Sequence, residues 1–389
     1  MRSASISNID LPLILCTLLA CALGIVMVFS ATNADGASAF QLNNFVMRQM
    51  VYAGAGILIM IVLARFDYRM MESFVIPLYV VTIGLLALVA VLGMVEYGSQ
   101  RWINLGFFPI QPSELAKLSV ILMLAKFLAS HEHEMRRFRW FVGAGLIVMI
   151  PAGIVLEQPD MGTGSMLIFI FLGMTLAAKV PARIFIGSAV LAIPAIYAFW
   201  TYVMHDYQRN RLLIFLNPES DLLGEGYNLI QTRITIGSGG LFGQGYLHGM
   251  QTQGDFIKVQ YSDFIFSVVA EQFGFIGGLC LIALMFLLVW RCLVVASRAP
   301  DAYGSFIAVG VATWIGMQVF IHVGMNIGLM PVTGIPLPFI SYGGSSLMSI
   351  LLGLGLVQSV ALRSTTVIFG GEPLRAGWAR SARTTLRPR

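Results

Sequence analysis

An aspartate that stands where a long apolar run begins is the first candidate for chemistry in this sequence. Asp263 lies in the segment 261–266, YSDFIF. A carboxylate at the mouth of a cavity can accept a proton from a substrate hydroxyl. An aspartate at the start of a helix can also act purely as its N-terminal cap. The residue types leave both interpretations of Asp263 open.

Two further charges open another apolar run. Glu114 and Lys117 follow Pro112, which suits the first turn of a helix because its missing N–H is not needed there. Residues three apart lie on one helical face, so the two side chains can touch. They form either a self-neutralising pair at the membrane interface, or a carboxylate and a cation that line an outward cavity.

Other polar side chains near apolar runs have simpler explanations. Asp160 lies in a very short turn, where capping the next helix is the alternative to a functional role. Gln318, His322 and Asn326 recur every four residues and therefore share one helix face. A histidine without a nearby carboxylate or cysteine is a poor metal ligand, so this face and Glu271 are expected to form hydrogen bonds between helices.

The segment 331–346 is uncharged and interrupted by three prolines and three glycines, so it cannot be a regular helix. Its last residues, which include Ser341, place backbone N–H groups and hydroxyls at the start of the next apolar run. Such an arrangement binds phosphate well. A rigid external turn is the alternative.

The composition limits where these side chains can be. The chain has 389 residues, of which 57% are hydrophobic and 11% are charged, against about 25% charged residues in soluble domains. A mean hydropathy of +0.81 excludes a cytosolic globular protein, a disordered chain and a disulfide scaffold. Strand alternation is not seen, so the expected fold is an all-α polytopic membrane protein. The four cysteines, Cys16, Cys21, Cys280 and Cys292, fit packing roles rather than zinc binding or disulfides.

Ten apolar runs are long enough to span a bilayer, which takes about 20 helical residues. With a cytoplasmic N-terminus, the inner segments hold most of the 24 Lys and Arg residues, as the positive-inside rule requires. Both termini are then predicted to be cytoplasmic. The runs lie near 11–31, 48–64, 74–95, 113–129, 140–156, 162–178, 183–204, 262–290, 302–330 and 341–363.

The sequence predicts one transmembrane domain over residues 1–363 and a basic, disordered cytoplasmic tail over 364–389. The longest stretch between spans, 205–261, separates the seventh from the eighth and is predicted to be external. It is too long for a simple connector and is therefore expected to carry function. Its part 227–236 suits a short helix that lies on the membrane interface.

Five separated blocks make the chain resemble the shape, elongation, division and sporulation (SEDS) family of bacteria, its rod-shape members most and its division members next. The resemblance runs over nearly the whole chain, and the order and spacing of the blocks make it specific. The blocks are RWI (101–103) with QPSELAK (111–117), QPDMGT (158–163), YQ (207–208) with Arg211 and FLNP (215–218), IGSGG (236–240) with DFIF (263–266), and TGIPLP (333–338) with SYGGS (341–345).

The resemblance implies a ten-helix peptidoglycan glycosyltransferase that polymerises lipid II on the outer face of the cytoplasmic membrane. It also implies a class B penicillin-binding protein as transpeptidase partner. The essential carboxylate of the family maps to Asp263, its cavity charges map to Glu114 and Lys117, and its tryptophan maps to Trp102.

The chemistry implied by the resemblance needs few groups. A sugar on a polyprenyl diphosphate already carries a good leaving group, so one base, Asp263, and cations that hold the departing charge suffice. An α-linked diphosphate that becomes a β-1,4 linkage requires inversion. The expected cofactor is either none or a divalent cation, magnesium or manganese, held by acids such as Glu114 and Asp160. The expected substrate contacts are Arg101, Trp102, Glu114, Lys117, Asp160, Arg211, Lys258 and Ser341.

Two other functions remain open from the sequence. A lipid II flippase would use the same charged cavity but would need access from both faces, and the inner segments here are short and simply basic. A scaffold that only recruits the transpeptidase would need no charges in the cavity.

Overall fold

The structure is a computed structural model that describes residues 8–32, 44–92, 94–96, 99–104, 109–158, 160–204, 206–221, 224–254, 256–364, 368–369 and 372–373. Its helices are α1 (Leu11–Thr32), α2 (Asn44–Arg65), α3 (Tyr68–Leu92), α4 (Pro112–Ser130), α5 (Phe138–Glu157), α6 (Met161–Ala177), α7 (Ala182–Ala198), α8 (Asp206–Leu216), α9 (Glu225–Ser238), α10 (Met250–Gln253), α11 (Ile265–Arg298), α12 (Ala302–Asn326) and α13 (Gly344–Leu362). Its short strands are β1 (Met94–Glu96), β2 (Ser99–Asn104), β3 (Pro109–Ile110), β4 (Ile368–Phe369) and β5 (Glu372–Pro373).

Each of the ten predicted spans coincides with a helix. Eight of these helices are long and apolar enough to cross a membrane: α1, α2, α3, α5, α7, α11, α12 and α13. Helix α7 continues into one π-helical turn, Phe199–Val203. Helix α6 has 17 residues, and α4 carries two charges near its start. That these two helices also span the membrane, which would give ten spans, stays a prediction.

The sequence did not predict a small sheet after the third span. Helix α3 ends at Leu92 rather than near residue 95, and β1, β2 and β3 form an antiparallel sheet in that order. Strand β2 carries Trp102 and Ile103, residue types that favour strands over helices. At the other end of the chain, β4 and β5 pair within the tail that was predicted to be disordered. The rest of the tail beyond residue 364 lies outside the described residues.

The segment 205–261 contains three helices, α8, α9 and α10. Helix α9 confirms the helix predicted over 227–236. Its buried side is formed by Leu229, Thr232 and Thr235, whereas Ile234 is 47% exposed. Ile234 therefore does not face the protein core, and the position of α9 on the membrane interface stays a prediction.

Helix α11 is broken at Gly274, which has φ 69° and ψ −166°. A conformation with positive φ costs glycine little. The chain between α9 and α10 replaces the hydrogen bonds lost at this break, as lipid-embedded backbone requires. The N–H groups of Gln244 and Gly245 donate to the carbonyls of Glu271 and Gln272, and those of Phe275 and Ile276 donate to the carbonyls of Gly240 and Leu241, at 2.9–3.2 Å.

Helices α12 and α13 form the centre of the bundle, and the chain between them folds back into it. Apolar side chains of this connection are buried, among them Ile335, Leu337 and Ile340. The segment 331–343, called the return loop below, is therefore neither a helix nor an exposed turn. Irregular backbone at this depth is tolerated when protein surrounds it.

The cysteine prediction holds for three of the four residues. Cys16, Cys21 and Cys292 are buried, Cys280 is exposed, and all four are free thiols. Cys280 therefore does not pack inside the bundle.

Candidate active site

Asp263 lies in a turn that immediately precedes α11. The helix begins at Ile265, and its N-cap is Phe264, which makes no side-chain capping hydrogen bond. The interpretation of Asp263 as the helix cap is therefore wrong, because Phe264 occupies the N-cap position. Asp263 is half-buried, and its Oδ1 accepts a hydrogen bond from the Ser262 hydroxyl at 3.0 Å.

The return loop holds this turn from one side. The Ser341 hydroxyl donates to the Ser262 carbonyl at 2.6 Å and accepts from the Leu337 N–H at 2.8 Å. The Tyr342 N–H donates to the Tyr261 carbonyl at 2.9 Å. Ser341, predicted as a substrate contact, is buried and ties the loop to the turn that carries Asp263.

Gly334 brings the backbone of the return loop close to the carboxylate of Asp263. Its φ of +66° favours glycine. A Cβ at this position would lie 3.8 Å from Asp263 Oδ2, which is ordinary van der Waals contact. Any side chain larger than alanine at residue 334 would therefore crowd the carboxylate.

Two side chains on the polar face of α12, Gln318 and His322, contact backbone carbonyls of the return loop. Gln318 Nε2 donates to the Pro336 carbonyl at 2.7 Å, and His322 Nδ1 lies 2.8 Å from the Ile335 carbonyl oxygen. All three side chains of this face are fully buried. The hydrogen bonding predicted for the face is present, but the shortest of these bonds go to backbone carbonyls of the return loop rather than to side chains of other helices.

Glu114 and Lys117 form the ion pair that their spacing predicted. The Lys117 Nζ is 2.7 Å from Glu114 Oε1, and the side chains are 1% and 4% exposed respectively. The ammonium also lies 5.0 Å from the ring centroid of Trp314, within reach of a cation–π interaction. Glu114 Oε2 is buried and has no hydrogen-bond partner within the described part of the chain. The pair is enclosed by protein and does not face open solvent.

Asp160 caps α6, as its alternative interpretation proposed. Its Oδ1 accepts from the Thr163 N–H at 3.0 Å, and its Oδ2 accepts from the Thr163 hydroxyl at 2.9 Å. Gln111 Nε2 lies 3.5 Å from the same Oδ2. Both carboxylate oxygens thus take part in hydrogen bonds within the protein.

The first turns of three helices lie side by side near the return loop. Gln111, the N-cap of α4, donates its backbone N–H to the Ser345 hydroxyl in the first turn of α13 at 3.2 Å and contacts Asp160, the N-cap of α6. Helix N-termini carry partial positive charge and bind anions. This group of helix starts, called the N-terminal cluster below, could therefore stabilise a diphosphate.

Four predicted substrate contacts remain, namely Arg101, Trp102, Arg211 and Lys258. Arg211 is half-buried on α8, and Lys258 is exposed in the chain before Asp263. Arg101 and Trp102 belong to β2, but their side chains lie outside what the structure describes. The structure thus brings Asp263 and Ser341 together, and separately Glu114 with Lys117.

Sequence reasoning missed two contacts of the site. Trp314 lies four residues before Gln318 and donates its Nε1–H to Gln318 Oε1 at 2.7 Å, so it extends the four-residue pattern of α12. The four-residue spacing of Trp314 from Gln318 indicates that both lie on the polar face, but a tryptophan also fits an apolar run. The contact between Gln111 and Asp160 had no signal, since it joins residues from separate helices.

Glu271 forms the predicted hydrogen bonds to another helix, α10, and Gln272 bonds to α1. Its Nε2 donates to the Ser30 hydroxyl of α1 at 2.6 Å. Glu271 is fully buried and accepts hydrogen bonds from the backbone N–H groups of Gln251 and Thr252 at 2.7 and 3.0 Å. Glu271 thus anchors the start of α10 to the membrane-spanning helix.

The family model for FtsW/RodA/SpoVE cell cycle proteins matches residues 10–366. The chain belongs to the FtsW/RodA/SpoVE family. The match confirms the resemblance drawn from the five sequence blocks, since these are the SEDS proteins. Together with the eight membrane-crossing helices, it makes the chain a multi-pass membrane protein.

Known members of the FtsW/RodA/SpoVE family are similar to this chain over most of their length. The peptidoglycan glycosyltransferase MrdB of Escherichia coli K12 is 40% identical over 336 residues, which are 86% of this chain and 90% of MrdB. A chain from a peptidoglycan synthase complex that coordinates polymerization and crosslinking superimposes with a TM-score of 0.77 at 33% identity, over 91% of this chain and 97% of that chain. RodA of Thermus thermophilus gives a TM-score of 0.66 at 31% identity, over 91% and 96%.

The described residues of this FtsW/RodA/SpoVE chain do not form a metal-binding site. No group of three or more His, Cys, Asp and Glu side chains there could hold a metal ion. Glu114 is neutralised by Lys117, and Asp160 is occupied by Thr163. These two acids, as arranged, do not fit a metal site, and the divalent cation stays a prediction.

Proposed function

We propose that this protein is a peptidoglycan glycosyltransferase that polymerises lipid II on the outer face of the bacterial cytoplasmic membrane during cell-wall elongation. The proposal rests on one observation. The end of the return loop and the first turn of α13 together join a half-buried carboxylate to the N-terminal cluster, because Ser341 binds the residue before Asp263 and Ser345 binds Gln111. A base and an anion-stabilising region thus lie on either side of one short segment.

The reaction follows from these two groups. Asp263 accepts the proton of the acceptor hydroxyl, and that oxygen forms a bond to the anomeric carbon of the donor sugar. The bond from this carbon to the diphosphate oxygen breaks, and the electron pair leaves with the diphosphate. Attack opposite the leaving group inverts the configuration from α to β. A diphosphate needs no general acid, unlike the alcohol that leaves in most glycoside hydrolyses.

The departing charge requires positive groups. The helix starts of the N-terminal cluster supply partial charges, and Arg101, Arg211 and Lys258 are proposed as full charges that contact the diphosphate. Lys117 would contribute once its pair with Glu114 opens toward the substrate, since the ammonium is 1% exposed in this structure. Trp102, Asp160 and Ser341 are proposed to shape the substrate site.

The proposed partner is a class B penicillin-binding protein, which would crosslink the strands made here. The similarity of this chain to one from a solved peptidoglycan synthase complex, in which polymerization and crosslinking are coordinated, supports this pairing. The proposed arrangement has one transmembrane domain over residues 1–363, an external segment 205–261, both termini in the cytoplasm and a basic tail 364–389. The excess of Lys and Arg in the inner segments supports this orientation.

Reconstitution distinguishes the proposed activity from its two alternatives. The purified chain in vesicles with labelled lipid II, with and without the transpeptidase, is expected to yield glycan polymer. Movement of lipid II across the bilayer without polymer would identify a flippase. Neither polymer nor movement, with the transpeptidase bound, would identify a scaffold. Polymer that appears only with the partner present would still support the proposal, provided that the partner alone makes none.

The orientation has its own test. In a Cys280→Ser background, Ser220→Cys is expected to react with a membrane-impermeant thiol reagent on intact protoplasts, because Ser220 is exposed within the proposed external segment. His133→Cys, exposed between α4 and α5, is the matched control and should react only after lysis. The opposite labelling pattern would overturn the topology and the placement of Asp263 outside the cell.

A further inference from the structure

In the turn that carries Asp263, three successive backbone carbonyls accept hydrogen bonds from other parts of the chain. Those of Tyr261 and Ser262 accept from the return loop, at 2.9 and 2.6 Å. The carbonyl of Asp263 itself accepts from Asn326 Nδ2 at 3.1 Å. The first two bonds come from an irregular loop, whereas the third comes from the side chain of a long helix.

The turn needs such bonds because its own conformation is unfavourable. Val259, four residues before Asp263, has φ +58°, a left-handed conformation that a β-branched residue rarely adopts. The Asp263 N–H donates to the Val259 carbonyl across this turn at 3.2 Å. A strained turn persists only where the surrounding structure fixes it, and Asn326 supplies one of the fixed points.

Asn326 makes this contact through its Nδ2, whereas its Oδ1 is buried without a hydrogen-bond partner among the described residues. It is fully buried at the end of an apolar helix, where an amide costs free energy unless it is hydrogen-bonded. Its Nδ2 also donates to the His322 carbonyl at 2.8 Å, which fixes the amide against its own helix. The two donors of the amide are thus directed at α12 on one side and at Asp263 on the other.

We propose that Asn326 is a positioning residue for Asp263 in polymerisation, an inference that rests on the proposed function. It does not touch the substrate. It fixes the backbone of Asp263 relative to α12, which also holds the return loop through Gln318 and His322. The carboxylate and the loop beside it are thereby set by one rigid helix.

The test measures polymerisation by Asn326→Leu over a range of lipid II concentrations, with the transpeptidase present. Leucine has a similar volume and no donor. Because a misplaced base affects the transition state more than substrate binding, kcat is expected to fall about 10-fold to 10²-fold, with KM changed less than about threefold.

Gln358→Leu is the matched control. Gln358 is also a buried amide in a central helix, but neither of its side-chain atoms has a hydrogen-bond partner among the described residues. Both kcat and KM of this variant are expected to stay within about threefold of the unaltered protein. If Asn326→Leu does not fold, Asn326→Ala takes its place, because it also removes the donor without burying a charge, and the same split between kcat and KM is required.

The outcomes separate the inference from the proposed function. Normal kcat in folded Asn326→Leu, beside an inactive Asp263→Asn, overturns the positioning role alone. A loss in Asn326→Leu that is matched by Gln358→Leu, or that lies wholly in KM, overturns it as well. An active Asp263→Asn overturns the proposed base, whatever Asn326→Leu shows.

Discussion

Asp263→Asn is expected to lower the polymerisation rate about 10²-fold to 10⁴-fold, the range for loss of a general base. The protein should remain folded, since asparagine has nearly the same shape and its side-chain oxygen can still accept from the Ser262 hydroxyl, as Asp263 Oδ1 does at 3.0 Å. Helix α11 does not depend on the carboxylate as a cap. The measurement is the rate of glycan formation from labelled lipid II, beside a thermal unfolding curve.

Asp206→Asn is the control for this experiment. Asp206 lies in the same external segment, its side chain is 94% exposed, and its contact with Arg209 is long at 3.4 Å. Exposed pairs of this kind contribute little to stability, so the control should keep its rate within about twofold. A rate close to that of the unaltered protein for Asp263→Asn would remove Asp263 as the base.

The membrane-spanning helices could be predicted because lipid imposes a simple requirement on each of them separately. A run of about 20 apolar residues is sufficient to predict a span, and α1, α5 and α13 lie within a few residues of their predicted positions. The end of α3 was placed about three residues too far, since Met94 and Val95 continue the apolar run but belong to β1.

The irregular parts of the bundle could not be predicted, because they depend on partners distant in sequence. The break at Gly274 is stable because the chain near Gly240 and Gln244 supplies the missing hydrogen bonds. Nothing within α11 specifies that partner. The return loop likewise depends on Gln318 and His322 of α12. The pattern of α12 revealed a polar face, but not that backbone carbonyls would be its acceptors.

The candidate site was predictable in its chemistry and less so in its geometry. Asp263 and the pair of Glu114 with Lys117 stand out as charges within apolar sequence, where each must have a reason. Whether Asp263 caps a helix depends on where α11 begins, and a start one residue later makes Phe264 the N-cap; the residue types do not determine this. Whether the pair is open or enclosed depends on Trp314, which comes from a different helix.

Removing one partner of the Glu114 and Lys117 pair is expected to destabilise the protein strongly. Both side chains are nearly fully buried, so each single change leaves a charge without its counter-charge, at a cost of about 3–5 kcal/mol. Glu114→Gln and Lys117→Met should therefore each lower the unfolding temperature. The double variant should recover much of this loss, because no unpaired charge remains.

The polymerisation rate of the same variants is expected to behave differently. If Lys117 stabilises charge that develops on the diphosphate, its removal lowers the rate about 10²-fold or more, as loss of a preorganised electrostatic group does. The double variant would then regain stability without regaining activity. An ammonium near the start of α4 opposes the helix dipole, which favours a functional reason for Lys117 over a purely stabilising one.

The pair of Asp206 and Arg209 has the same three-residue spacing, its aspartate is 94% exposed, and it provides the control cycle. Arg209 also donates to the Trp200 and Thr201 carbonyls, so the quantity compared is the coupling free energy of each cycle, from which such other contacts cancel. The coupling of Asp206→Asn with Arg209→Met should be about 1 kcal/mol or less. Recovery of activity together with stability in the Glu114→Gln/Lys117→Met variant would show that the buried pair is structural. The negative charge of the diphosphate would then be stabilised by the N-terminal cluster and the arginines instead of by Lys117.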